Sequence, residues 1–206
     1  MVKFSAFLLD GLQKFIYNVS CRNLAFILSQ ALKINFEWRI IMTKNPTVLK
    51  WLKDMEELLT PEKVVWIDGS EEQTEEMRKL ACETGELIKL NQELLPDCYL
   101  HRTKQNDVAR VEDRTFICSR EKENAGPTNN WCDPQEMYKK LYNIARGSYK
   151  GKTMYIIPFS MGPIGSPLAK IGIEVTDSVY VVLNMLIMTR VSPKVLEVLG
   201  DSDDWV

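Results

Sequence analysis

The chain has 206 residues, enough for one large domain or two small ones. Hydrophobic and charged contents of 45% and 26% are those of an ordinary globular protein, and a net charge of −2 supplies no basic field to draw nucleic acid or an anionic membrane. Five cysteines (Cys21, Cys82, Cys98, Cys118 and Cys132) are scattered without a C-x-x-C pair, and His101 is the only histidine. This pattern argues for free thiols in a reducing compartment and against a structural zinc site or a His-based triad.

Residues 1–41 carry five basic and two acidic residues among many large apolar ones, with Phe4, Phe7, Leu8, Leu12, Phe15 and Ile16 at helical spacing. They contain no uninterrupted apolar run long enough to span a membrane, and Asp10 and Lys14 interrupt any secretory core. Three readings stand: a helical extension, a mitochondrial import sequence, or translated sequence upstream of a start at Met42.

From there the chain reads as alternating helices and strands. Asn45 caps a helix predicted over Pro46–Leu59, with proline at the first helical position. Val64–Ile67 reads as a short buried strand ended by Asp68-Gly69. Ser70 opens a helix predicted to run to about Leu90, its acidic first turn complementing the helix dipole. Gly85 weakens that helix by roughly 1 kcal/mol relative to alanine. Cys98–His101 and Arg114–Cys118 read as strands, Asp107–Glu112 as a turn, and Lys122–Trp131 as loop. Asp133-Pro134-Gln135-Glu136 signals a helix start, and that helix is predicted to reach about Arg146.

Thr153–Phe159 is the predicted central strand, apolar without alternation, as suits a strand covered on both faces. Ser160–Pro167 breaks regular structure. Lys170–Val175 and Val179–Met188 are predicted strands joined by Thr176-Asp177-Ser178, the second on its β-branched content. A helix over Ser178–Met188 capped by Asp177 is the competing reading. Ser192-Pro193 starts a last helix over Lys194–Leu199, closed by Gly200. The fold class expected is α/β, a mixed sheet centred on Thr153–Phe159 with helices packed around it.

Few residues carry chemistry on their own. Gly147–Thr153 is one residue short of a phosphate loop and runs helix-to-strand, the reverse of the order that aims backbone N–H groups at phosphates, so it reads as a basic turn. Ser160–Pro167 lacks a nucleophile-elbow pattern and reads as a rigid corner. The tryptophans and tyrosines are not interleaved with basic residues, so no stacking platform for nucleic acid is seen. Arg110 presents the fork that suits a carboxylate, although on the residues alone a surface arginine paired with Asp107 or Glu112 is the simpler reading.

Several segments together carry a resemblance. WIDGSEE, DVARVE, GPTNNWCDP, the run PFSMGP-x-GSP followed by K-x-GIE-x-TDS-x-YVV, and IMTR are similar to the N-terminal domain of GTP-dependent phosphoenolpyruvate carboxykinase, over roughly Met42 to Trp205. Residues 1–41 lie outside the resemblance, which divides the chain into an unmatched extension and a carboxykinase-like domain from 42 to 206.

The resemblance implies a gluconeogenic enzyme that converts oxaloacetate and GTP to phosphoenolpyruvate, GDP and CO2. It further implies Mn²⁺ at the active site and Mg²⁺ with the nucleotide. Arg110 corresponds to the arginine that contacts the carboxylate of oxaloacetate or phosphoenolpyruvate, and Glu112 to the acid that holds the mobile lid. Lys104-Gln105 depart from the Asp-Pro common before this motif, and His101 occupies a position usually not histidine. The family's metal ligands, phosphate loop and guanine pocket lie downstream of the matched stretch. The chain is therefore expected to supply part of the substrate pocket, with no catalytic or metal-binding residue of its own, and to be inactive alone. A monomer in the cytoplasm is implied, or in the mitochondrial matrix if residues 1–41 direct import. The alternative is a non-catalytic carboxylate-binding or scaffold module with the same fold.

Overall fold

A computed structural model describes residues 42–103 and 111–206. The chain divides into two compact units, Met1–Lys44 and Asn45–Val206, and the second carries all the elements below. Its helices are α1 (Pro46–Leu59), α2 (Glu71–Glu83), α3 (Pro134–Ala145), α4 (Val179–Met188) and α5 (Pro193–Leu199). Its strands are β1 (Lys63–Trp66), β2 (Ile88–Lys89), β3 (Tyr99–Leu100), β4 (Phe116–Ile117), β5 (Asn130–Trp131), β6 (Thr153–Met161), β7 (Lys170–Thr176) and β8 (Arg190–Val191). The α/β class and the mixed sheet agree with the sequence reading.

β6 is the spine. It pairs parallel with β1 along one edge, antiparallel with β7 along the other, and antiparallel with β8 beyond the end of β1. Pro158 sits in the middle of this central strand, where a missing N–H would ordinarily break the ladder. The register explains its place. Ile156 accepts from the Ile67 N–H, so the backbone groups two residues on, at Pro158, face the same edge. There β1 has ended and β8 begins only at Phe159, so the proline falls in the gap between two partners.

Both faces of β6 are covered. Tyr155 and Ile157 pack with Ile67, Met77, Ala81, Val179, Val182 and Leu183, that is, with α2 and α4. Met154, Ile156, Pro158 and Ser160 alternate onto the opposite face and are equally buried. The continuous apolar run is thus the signature of a strand between two layers.

The caps formed as their residue types dictate. The Asn45 side chain accepts from the Thr47 and Val48 N–H groups at the start of α1. Its amide donates to the Gly200 and Ser202 carbonyls after α5, both at 2.9 Å, so one buried asparagine joins two helix ends. Ser70 caps α2 through the Gln73 N–H, and the Gln73 side chain reaches back to the Asp68 N–H and the Trp66 carbonyl. Asp133 accepts from Gln135 and Glu136 at the start of α3.

Four expectations are corrected. Val179–Met188 is a helix, not a strand. Val179, Val182 and Leu183 bury one helical face on the sheet. Its first-turn donors are met by Ser178, the actual cap, which accepts from Val181, and by the Glu86 carboxylate, which accepts from Tyr180 at 3.0 Å. Asp177 instead pairs with Lys152. The helix opened by Ser70 stops at Glu83, because Gly85 takes φ +79° and turns the chain so that Ile88–Lys89 pairs with β3. The central strand runs on to Met161, so Ser160 is a buried strand residue. The expected loop over 122–131 contains a 3-10 turn at Lys122–Ala125 and the strand β5.

Candidate functional site

The two sequence-derived site residues fall on either side of a boundary. Arg110 lies outside the described residues, which exclude 104–110, whereas Glu112 opens a 3-10 turn, Glu112–Arg114, on the surface. Among the described residues the Glu112 carboxylate has no ion-pair partner. Its backbone, by contrast, is anchored. The Asn130 side chain donates to the Glu112 carbonyl at 2.7 Å and to the Thr115 carbonyl at 3.3 Å, and the Thr115 hydroxyl donates to the Val111 carbonyl at 2.6 Å.

Behind the turn, β4 and β5 run parallel, with Phe116 opposite Asn130 and Ile117 opposite Trp131. The Trp131 indole N–H donates to the Ser119 carbonyl at 2.9 Å, and the Lys140 ammonium on α3 lies 5.6 Å over the Phe116 ring. The GPTNNWCDP segment is therefore the frame that holds the Glu112 turn. The sequence marks it as unusual but does not show that Asn130 bonds to a carbonyl eighteen residues earlier.

A second feature was not legible in the sequence. A cleft of about 890 Å³ opens beside the carboxyl end of β1, walled by Gly69, Arg78, Tyr99, His101, Tyr180 and Arg190 among others. Arg78 is held against Glu71 and Glu75 on its own helix. The His101 ring stacks on Tyr180 with 3.8 Å between centroids, and its Nδ1 stands 2.6 Å from the Glu86 carbonyl. Gly69 makes the close approach possible: it takes φ +74°, and a Cβ there would stand 2.2 Å from the Val191 carbonyl oxygen. His101 is thus a packed, hydrogen-bonded residue of the cleft wall, two positions before the last described residue preceding Arg110's segment. These side chains come from separate elements: Gly69, Tyr180 and Arg190 fall in WIDGSEE, TDS-x-YVV and IMTR, but the sequence does not show that these segments meet.

The basic turn Gly147–Thr153 spends its backbone donors internally. The Gly147 and Tyr149 N–H groups donate to the Leu58 and Leu59 carbonyls at the end of α1, Ser148 donates to the Ala145 carbonyl at the end of α3, and Lys150 and Lys152 donate within the turn. It offers no cradle for a phosphate. Burial raises the Tyr149 pKa, and the nearby Asp177 charge adds to the effect. Among the described residues no group of three or more His, Cys, Asp or Glu side chains gathers to hold a metal ion, and no helix is long and apolar enough to cross a membrane. The described residues therefore do not fit the metal centre that the resemblance implies.

Residues 50–206 match the family described as "Phosphoenolpyruvate carboxykinase N-terminal domain". The chain is 50% identical over 164 residues to phosphoenolpyruvate carboxykinase (GTP) of Corynebacterium jeikeium (strain K411), covering 80% of this chain and 27% of that protein. It is 50% identical over 163 residues to the protein of the same name from Anaeromyxobacter sp. (strain K), covering 79% and 27%. Against that of Corynebacterium kroppenstedtii it is 52% identical over 159 residues, covering 77% and 26%. The chain thus spans about a quarter of the length of the relatives it matches. With the family matching most of the chain, and with the α/β fold in place, the chain belongs to the phosphoenolpyruvate carboxykinase N-terminal domain family.

Proposed function

We propose that this chain supplies part of the substrate pocket of a GTP-dependent phosphoenolpyruvate carboxykinase, which converts oxaloacetate and GTP to phosphoenolpyruvate, GDP and CO2. The observation that carries the reading is identity near 50% along some 160 residues with proteins named for that reaction. In this reading Arg110 clamps the substrate carboxylate through paired hydrogen bonds. Glu112, projecting from the turn that Asn130 anchors, helps hold a lid closed over the pocket. The Mn²⁺ and Mg²⁺ that the resemblance implies would be held outside the described residues, where they would supply positive charge to the substrate and the nucleotide. Residues 1–41 form an extension outside this domain. The enzyme is read as monomeric and cytoplasmic, or mitochondrial should the extension direct import.

The test is a chimera in which this chain replaces the matching portion of the Corynebacterium jeikeium relative, assayed with oxaloacetate, GTP and Mn²⁺. The chimera is expected to form phosphoenolpyruvate, and the 206-residue chain alone is not. Arg110→Ala in the chimera should lower kcat/KM by at least about 30-fold, the lower end for breaking a buried charged pair. Turnover by the isolated chain would refute the division of labour. An unaffected Arg110→Ala chimera would refute the clamp.

A further inference from the structure

Cys118 and Cys132 read as unrelated thiols in the sequence, but each directly follows one of two paired strands. β4 and β5 are parallel and in register at Phe116–Asn130 and Ile117–Trp131. Carried one residue past the ends of both strands, that register sets Cys118 opposite Cys132. β4 ends at Ile117 and β5 at Trp131, and two bonds hold the segments together there: the Cys132 N–H donates to the Ile117 carbonyl at 3.3 Å, and the Trp131 indole N–H donates to the Ser119 carbonyl at 2.9 Å. Strand alternation carried one residue past β4 and β5 sets both cysteines on the face of Phe116 and Asn130. Neighbouring strands lie about 4.8 Å apart, inside the roughly 4.4–6.8 Å Cα separation that a disulfide bridges. Both residues are free cysteines, Cys118 exposed and Cys132 half-buried, so a reagent reaches Cys118 first.

We propose that Cys118 and Cys132 form a dithiol site that a small-molecule disulfide closes reversibly. The Cys118 thiolate attacks one sulfur of oxidised glutathione, forming a mixed disulfide and releasing one glutathione thiolate. The Cys132 sulfur then attacks Cys118 Sγ, forming the Cys118–Cys132 bond and expelling the second glutathione. Two electrons pass from the protein dithiol to the reagent, and the two cysteine protons end on the two glutathione thiols. The bond would tie β4 to β5 next to Asn130, the residue that anchors the Glu112 turn. The proposal uses neither sulfur for carboxykinase chemistry and does not rest on that reading.

The test treats the folded 206-residue chain with oxidised glutathione, alkylates the remaining thiols, and maps tryptic peptides without reduction. Cleavage after Arg114, Arg120, Lys122 and Lys139 places Cys118 in peptide 115–120 and Cys132 in peptide 123–139. The expected product is the two peptides joined by a disulfide, released by dithiothreitol, with two fewer alkylated thiols per chain. Cys118→Ser and Cys132→Ser should each yield no joined peptide, and Cys132→Ser should stop at a glutathione adduct on Cys118. Separate glutathione adducts on the two wild-type peptides, with no joined species, would overturn the proposal. So would an equal yield of joined peptide from urea-unfolded chain, since the adjacency would then owe nothing to the fold.

Discussion

The Phe159 ring covers Gly172, its partner across the β6–β7 ladder, so closely that a Cβ at Gly172 would stand 2.4 Å from ring atom Cζ. The glycine is required by this contact. Gly172→Ala is expected to destabilise the domain by about 1–3 kcal/mol, the usual cost of overpacking. Phe159→Ala should remove the clash, so the double variant should lose less than the sum of the two single changes. Thermal denaturation of the four proteins of this cycle measures the coupling.

Helix α4 depends on two caps from different parts of the chain. Ser178→Ala removes the hydroxyl that accepts from Val181, at an expected cost of about 1 kcal/mol. Glu86→Ala removes a charged acceptor of the Tyr180 N–H and should cost about 1.5–3 kcal/mol. Urea denaturation should rank the two in that order. The reverse ranking would mean that the Glu86 contact is not what holds the helix start.

Asn130 is expected to control the Glu112 turn more than the stability of the domain. Asn130→Ala loses donors to two carbonyls at an exposed site, so the expected cost is about 1 kcal/mol or less. Amide hydrogen exchange should accelerate locally, at Arg114, Thr115 and neighbouring residues. Asn130→Asp should have a larger effect, because it sets a carboxylate against the two carbonyl oxygens. Exchange unchanged in both variants would show that the turn is held by other contacts.

Glu174 lies on β7 opposite Ile157, and burial raises its pKa above the ordinary carboxylate value. An acid with a raised folded pKa is protonated more readily in the fold than in the unfolded chain. Its contribution to stability therefore falls as pH rises from the unfolded pKa through the folded one. Glu174→Gln is expected to melt higher than the parent at neutral pH, with the difference vanishing below about pH 4, where the unfolded carboxyl is also protonated. A difference that persisted unchanged into acid would assign the effect to packing instead of charge.

Local chemistry settled much of this protein from sequence. Asn45, Ser70, Asp133 and Ser192 each cap the helix they were expected to open, because a cap needs only a side-chain oxygen within three residues of a free N–H. The central strand was legible because a strand covered on two faces from Met154 to Pro158 leaves little room for polar residues. The motif around Glu112 was legible as a motif, whereas its anchoring by Asn130 was not. Tertiary structure alone decided the rest. A continuous apolar run such as Val179–Met188 fits a buried helix or a buried strand equally well, and the choice fell to a carboxylate ninety-four residues before Tyr180. The parallel β4–β5 pairing likewise ends just before Cys118 and Cys132, and the packing of α2, β3, α4 and β8 makes the cleft. Both arise from long-range pairing, which is fixed by burial and backbone hydrogen bonding among distant segments and leaves no periodic trace in any one of them.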